Sequence, residues 1–176
     1  PLLLSQASRL ARPATPEYTF RIIRSFPHDA KAFTQGLAYR DGFLYEGTGL
    51  NGRSSLRKVK LETGEVVQRV NLSPEFFGEG IALLKNEVIQ LTWKSGKGFV
   101  YNLSDFRSLR QFSYSGEGWG ATSRGNEIFM SGGTDEIRVL DGATFHEKRR
   151  LKVRDGGTPV TELNELEFVE GEIFAN

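Results

Sequence analysis

"DGFLY", residues 41–45, is the first of four related stretches that recur along the chain. The other three are "KNEVI" at 85–89, "GNEIF" at 125–129 and "EGEIF" at 170–174. Each stretch begins with polar or glycine residues and continues into strand-type residues, a pattern typical of a tight turn that leads into a β-strand. The segments that precede the four stretches begin at Gln35, Glu79, Trp119 and Asn164. These four openers lie 44, 40 and 45 residues apart, which is the period of about 40–50 residues found in propeller blades.

Each repeat is predicted to contain four short strands. In the first unit these are "GLAY", "FLYEGTG", "SLRKVKL" and "VVQRVNL", separated by "RDG", "LNGRS" and "ETGE". Gly, Asn and Asp at the breaks are turn residues, and no stretch sustains a helical period. The 20 Gly and 13 Phe of the chain fit an all-β composition. Four-stranded units repeated about an axis form a β-propeller, so we predict an all-β propeller.

The repeats also predict how the chain is organised. Residues 18–176 form the propeller domain, with about three and a half blades. The segment "YTFRIIRSFPH" at 18–28 aligns with the outermost strand of a blade, and we expect it to close the ring by completing the last blade. Because an open ring exposes unpaired strand edges, we expect the chain to be a piece of a longer protein. Residues 1–17 are expected to form a flexible arm, and their composition also fits the remnant of an export signal.

Composition excludes several function classes. The 23 Lys and Arg residues against 22 Asp and Glu residues leave no strong field for nucleic acid or anionic lipid. No apolar run reaches the roughly 18 residues of a membrane span. The chain has no Cys and only two His residues, His28 and His146, which argues against a thiol nucleophile or a histidine-rich zinc site.

One stretch resembles a phosphate-binding loop. "YEGTGLNGRSS" at 45–55 contains G-x-G-x-x-G and comes within one residue of a P-loop, with Arg53 at the lysine position. A phosphate-binding loop must lead into a helix, whereas "RSSLRKVKLETG" has strand character. We therefore interpret 45–55 as the connection between the second and third strands of the first unit.

The four openers predict a site. Gln35, Glu79, Trp119 and Asn164 occupy equivalent positions at the start of the innermost strand of each unit, so we expect them to surround one pocket at one end of the central channel. Phe33 and Phe77, two residues before Gln35 and Glu79, and Trp93 at the end of the second strand of unit two add aromatic side chains nearby, and packing between blades is the favoured interpretation of Phe33 and of Phe77 taken singly. One carboxylate with amide and indole donors suits a reaction that needs a single proton shuttle and oriented donors.

Five ordered motifs resemble a known family. "PHDAKAFTQGL", "LYEGTGLNGRSSLR", "FFGEGIALL", "GEGWGAT" and "LNELEFVEGEIFAN" are similar to glutaminyl-peptide cyclotransferases, or glutaminyl cyclases, of the plant and bacterial type. The resemblance runs from about Tyr18 to Asn176. It implies a five-bladed β-propeller, here lacking its last blade and a half, and an acyltransferase that converts N-terminal glutamine to pyroglutamate with release of ammonia. This type is unrelated to the zinc-dependent animal enzymes.

The resemblance also implies roles for the predicted site. Glu79 would take a proton from the substrate amine and deliver it to the leaving ammonia. Gln35 and Asn164 would hold the side-chain amide and stabilise the oxyanion, and Trp119 would donate its indole N–H to the substrate. Phe33, Phe77 and Trp93 would wall the pocket. The resemblance implies no cofactor, and whether a structural cation occupies the channel is left open. We expect a secreted or periplasmic bacterial monomer that acts on peptides or proteins with N-terminal Gln.

The residues themselves are also compatible with two other functions. A non-catalytic propeller would bind peptides at the same rim without turnover. A metal-dependent propeller lactonase or hydrolase would need carboxylate and Asn ligands converging on a divalent ion.

Overall fold

The computed structural model describes residues 15–176, and this part of the chain contains β-strands and no helix. Accordingly, no helix long and apolar enough to cross a membrane occurs within it. Blade one consists of β1 (Thr34–Arg40), β2 (Phe43–Thr48), β3 (Ser55–Lys60) and β4 (Val66–Asn71). Blade two consists of β5 (Gly78–Leu84), β6 (Glu87–Thr92), β7 (Lys97–Asn102) and β8 (Ser108–Ser113). Blade three consists of β9 (Ala121–Arg124), β10 (Glu127–Met130), β11 (Glu136–Asp141) and β12 (Glu147–Lys152).

Two shorter hairpins follow blade three. The first pairs β13 (Arg154–Asp155) with β14 (Thr158–Pro159), and the second pairs β15 (Leu166–Val169) with β16 (Glu172–Ala175). The second hairpin supplies the inner two strands of a fourth unit, as the repeat predicts. The first hairpin was not predicted, because the sequence "RLKVRDGG" gives one continuous strand-like signal.

The sheets are stacked in the manner of a β-propeller. Each blade is an antiparallel meander in sequence order, and the inner strands β1, β5, β9 and β15 contact one another in succession. The all-β propeller prediction is therefore confirmed for this part of the chain. The total of five blades stays a prediction.

The four stretches that define the repeat share one backbone feature. The first residue of each inner turn has a left-handed φ, with values of 51° at Asp41, 54° at Lys85, 59° at Gly125 and 49° at Glu170. Two-residue hairpins require this conformation because it matches the twist of the flanking strands. The similarity that the sequence shows at these turns thus corresponds to a repeated hairpin geometry.

The hydrophobic core lies between the blades. One cluster joins blades one and two and includes Tyr45, Leu56 and Val88. Corresponding clusters join blades two and three, and blade three with the fourth unit. The outer strands β4, β8 and β12 are largely exposed. The faces that neighbouring blades turn toward each other are thus apolar. Burial of these faces holds the blades together and thereby sets the positions of the inner strands around the axis.

A buried ionic network anchors the segment that leads into β1. Glu46 of β2 is fully buried and accepts hydrogen bonds from Arg57 Nε at 2.9 Å and Nη2 at 2.5 Å. The same carboxylate contacts His28 Nε2 at 3.0 Å and accepts a hydrogen bond from Thr34 Oγ1 at 2.5 Å. Arg57 Nη1 also binds Asp29 at 2.9 Å. These contacts hold residues 28–34 against blade one, directly before Gln35.

The pairing of the predicted closing strand with a last blade stays a prediction. Residues 18–28 have no strand assignment, and the side chains of Tyr18, Phe20, Ile22 and Ile23 are strongly exposed. A strand requires a partner edge for its N–H and C=O groups, and no strand within residues 15–176 pairs with this segment. The predicted flexible arm and export signal at 1–17 lie mostly outside the described residues, so the secreted or periplasmic location stays a prediction.

Candidate active site

Gln35 and Glu79 lie at β-bulges of equivalent position. The register between β1 and β2 shifts between Thr34 and Gly36, and the register between β5 and β6 shifts between Gly78 and Ile81. A bulge changes the direction in which a side chain points at the end of a strand. Each bulge therefore directs its polar residue toward the end of the channel instead of into the apolar core between blades.

A glycine follows each of the first three openers. A Cβ on Gly36 would lie 2.5 Å from the backbone nitrogen of Ile81, and a Cβ on Gly80 would lie 2.4 Å from the carbonyl oxygen of Trp119. At Gly120 the corresponding distance, to the carbonyl oxygen of Asn164, is 2.0 Å. No side chain fits at these contacts. The glycines thus allow successive inner strands to approach closely, which brings the openers together.

The residues predicted for the site line one cavity of about 350 Å³. Its lining consists of Phe33, Gln35, Phe77, Glu79, Trp93, Trp119 and Asn164. The structure therefore brings together all seven side chains that the repeat and the resemblance place at this rim. Their chemical roles stay predictions.

Glu79 is the buried carboxylate of this cavity. Its side chain is only 4% exposed, and its Oε2 accepts a hydrogen bond from Gln35 Nε2 at 2.6 Å. Burial, reinforced by the charge of Glu117, raises the pKa of Glu79 to about 8, although the Gln35 hydrogen bond opposes this shift. The carboxyl group can therefore exchange a proton near neutral pH.

Aromatic side chains form a continuous wall beside Glu79. The rings of Phe33 and Phe77 meet edge to face with centroids 6.1 Å apart, and Phe77 meets Trp93 at 5.5 Å. Phe33 is 48% exposed, so the wall begins at the surface and continues inward. An apolar wall around one carboxyl group excludes water and strengthens the hydrogen bonds made inside.

Comparisons with known proteins agree with this geometry. The family model described as glutamine cyclotransferase matches residues 2–176. This chain belongs to the glutamine cyclotransferase family. A glutaminyl-peptide cyclotransferase of Arabidopsis thaliana is 39% identical over 157 residues, which are 88% of this chain and 49% of that protein. The chain thus spans about half the length of this relative.

Solved structures support the fold of this family member. The glutaminyl cyclase of Myxococcus xanthus superposes with a TM-score of 0.82 at 34% identity, covering 89% of this chain and 66% of that one. The WD40 repeats of RRP9 superpose with a TM-score of 0.59 at 11% identity, covering 79% of this chain and 43% of that one. The second likeness concerns the propeller fold alone.

Glu117 contacts two residues of the cavity lining and was missed by sequence reasoning. Its Oε2 accepts the indole N–H of Trp93 at 2.6 Å and that of Trp119 at 2.9 Å. Lys94 lies 3.9 Å from the same carboxylate. The two indole hydrogen bonds are the main causes that lower the pKa of Glu117, together with the Lys94 charge. The N–H that the resemblance assigns to the substrate is thus engaged by Glu117 in this structure.

Glu165 departs from the glycine pattern in the fourth unit of this family member. It stands directly after Asn164, where the other three units have glycine. Its Oε1 accepts a hydrogen bond from the backbone N–H of Leu37 on β1 at 3.1 Å, while its buried Oε2 has no partner among the described residues. Burial raises the pKa of Glu165 to about 8. Its side chain therefore links the fourth unit to blade one, the two ends of the described array.

Proposed function

We propose that this chain carries the catalytic cavity of a glutaminyl cyclase, which converts an N-terminal glutamine to pyroglutamate. The α-nitrogen of the substrate bonds to its own side-chain carbonyl carbon, and the bond from that carbon to the amide nitrogen breaks. The proton that the α-nitrogen loses leaves with the departing ammonia. Nucleophile and electrophile belong to one residue, so the cavity need only hold that residue folded over.

The position of Glu79 is the observation that carries the proposal. It is a buried carboxyl group with a pKa of about 8 inside a cavity of about 350 Å³, in a chain that belongs to this family. An unperturbed α-amino group has a pKa of about 8. Near pH 8 the free amine and the Glu79 carboxylate are therefore both substantially populated, so the carboxylate can take the proton that the attacking nitrogen sheds and pass it to the departing ammonia.

The remaining side chains orient the substrate. The amide groups of Gln35 and Asn164 bind the side-chain amide of the substrate and stabilise the developing oxyanion. Trp119 donates its indole N–H to the substrate once it exchanges its present partner Glu117. Phe33, Phe77 and Trp93 enclose the hydrocarbon part of the glutamine side chain.

We propose that the reaction needs no bound metal and that the substrates are peptides or proteins with N-terminal Gln. Support comes from the composition of the lining, in which Glu79 is the one carboxylate among amides and aromatic rings. A catalytic zinc ion, by comparison, is held by about three His, Cys or carboxylate ligands.

The test is ammonia release from a Gln-initiated dipeptide by the complete protein, with and without chelator. We expect equal turnover in both and loss of turnover in Glu79→Gln, with the exposed Glu75→Gln as the matched control. Loss of turnover with chelator would indicate a metal-dependent enzyme. Peptide binding without any ammonia release would indicate a non-catalytic binding protein.

A further inference from the structure

A second cavity, of about 320 Å³, lies at the end of blade one that carries Gln35. We call it the basic cavity. It is lined by the segment before β1, the loop between β2 and β3, and the adjoining ends of β3 and β4. Its charged residues are Asp29, Lys31, Arg53, Arg57 and Arg69. Four cationic side chains thus face one carboxylate, in a protein whose total charge is close to balanced.

The side chains of two of the four cations make no hydrogen bond or ion pair within residues 15–176. Arg57 is neutralised by Glu46 and Asp29, and Arg69 Nε donates to Asn71 at 2.8 Å. Lys31 and Arg53 are exposed and make no ion pair with any residue within 15–176. The basic cavity therefore retains positive charge that an anionic group can neutralise.

The loop of the basic cavity is the one that resembles a phosphate-binding loop in the sequence. It connects β2 to β3 without a helix, as predicted. Three of its backbone N–H groups, including those of two glycines, are already used: Gly49 donates to Phe33 at 2.8 Å, Gly52 to Pro74 at 3.1 Å and Arg53 to Leu50 at 2.9 Å. A phosphate cradle requires these N–H groups to be free. An anion in this cavity would therefore be bound by side chains.

The basic cavity adjoins the candidate active site. Phe33 lines both cavities. Gly49, which lines the basic cavity, lies so close to Phe77 and Gln35 that an added Cβ would be 2.4 Å and 3.0 Å from their atoms. One ridge, made of Phe33 and Gly49 and held by their backbone hydrogen bond, separates the two. A peptide whose first residue occupies the active-site cavity meets this ridge on the side of the basic cavity, and each further extended residue adds about 3.3–3.6 Å of reach.

We propose that the basic cavity is a substrate subsite that binds a carboxylate in the peptide segment that follows the N-terminal glutamine. This inference rests on the proposed function. The carboxylate belongs either to an Asp or Glu side chain or to the C-terminus of a short peptide. Lys31 and Arg53 bind it, because they are the cations of the cavity without a partner in the described part of the chain.

The experiment compares ammonia release from three tripeptides: Gln-Ala-Glu amide, Gln-Ala-Gln amide and Gln-Ala-Gln with a free C-terminus. We expect kcat/KM of the complete protein to be about fivefold higher for either carboxylate-bearing peptide, mainly through KM, since exposed charge contacts are individually weak. The preference should shrink at high salt. In the double variant Lys31→Gln/Arg53→Gln the ratio of acidic to neutral peptide should fall to about one. Arg107→Gln, which removes an exposed cation on blade two, should keep it.

The outcomes separate the two proposals. Ammonia from none of the peptides overturns the cyclase activity and, with it, the subsite. Equal efficiency with all three peptides overturns only the subsite. A preference that survives in the double variant assigns the carboxylate to another surface and overturns the role of the basic cavity. A preference confined to the free C-terminus or to the Glu side chain supports the subsite and identifies which carboxylate it binds.

Discussion

Glu46 and Glu79 are both buried carboxylates at the same end of blades one and two, yet their surroundings differ. Glu46 contacts Arg57, His28 and Thr34, and its charge is matched by a buried guanidinium. Glu79 has one hydrogen-bond partner in the described structure, the neutral amide of Gln35, beside an open cavity. A carboxylate with several donors holds a fold in place, whereas one with few donors remains available for proton transfer.

Substitution of Glu79 should have the largest effect on activity, and it distinguishes Glu79 from Glu46. Glu79→Gln removes the proton acceptor but keeps the size of the side chain, so ammonia release should fall by about 10³-fold or more. Stability should not decrease, because no buried cation loses a partner and the cost of ionising a buried carboxyl group disappears. Steady-state kinetics and urea unfolding of the same preparation measure both quantities. Activity within tenfold of the parent protein would exclude Glu79 as the proton shuttle.

Glu46→Gln should show the reverse behaviour. It leaves the buried Arg57 with Asp29 alone as its ionic partner, and removing one partner of a buried ion pair costs about 3–5 kcal/mol. The unfolding free energy should therefore decrease by about 3 kcal/mol, while the folded fraction retains turnover within about tenfold. Urea unfolding monitored by circular dichroism measures the loss. The conservative Glu46→Asp variant should recover part of it, whereas a purely steric defect would not be rescued.

The pH dependence of stability gives a third distinction. The pKa of Glu79 is raised to about 8 from an ordinary value of 4.5, so between these values the folded state keeps a proton that the unfolded state has lost. Stability must then fall as pH rises through this window and level off above about pH 8. Glu165, with a pKa also near 8, acts in the same direction.

We expect a slope on the order of 1 kcal/mol per pH unit from the two groups together, after allowance for solvent screening. Urea unfolding across the window measures it. Glu79→Gln should reduce the slope, and Glu79→Gln/Glu165→Gln should nearly remove it, because glutamine does not titrate. A slope unchanged in the double variant would assign the effect to other groups.

Much of the fold and of the candidate site could be predicted from the sequence, because the repeat determines both the strands of each blade and the positions of the site residues. Turns such as Asp41–Gly42 recur with the hairpin, and the openers Gln35 and Glu79 inherit their positions from it. The network around Glu46 and the role of Glu117 did not follow, since both join residues that the repeat does not relate. The segment at 18–28 has a strand pattern, but pairing depends on a partner edge that a local pattern does not contain.

Substitution of Glu117 should have the smallest effect on activity of the variants considered. Like Glu46 it is a carboxylate that accepts several hydrogen bonds, here from the indoles of Trp93 and Trp119, but it is partly exposed. In Glu117→Gln an amide oxygen replaces the charged acceptor, so the hydrogen bonds from Trp93 and Trp119 weaken. We expect KM for a Gln-initiated dipeptide to rise about fivefold, with kcat changed less, because the wall and not the proton shuttle is affected. The same loss of charge removes a neighbour that helps to raise the pKa of Glu79, so the acidic limb of the kcat profile should move to lower pH. A purely structural role for Glu117 would lower the amount of folded enzyme and leave both KM and this pH limb in place.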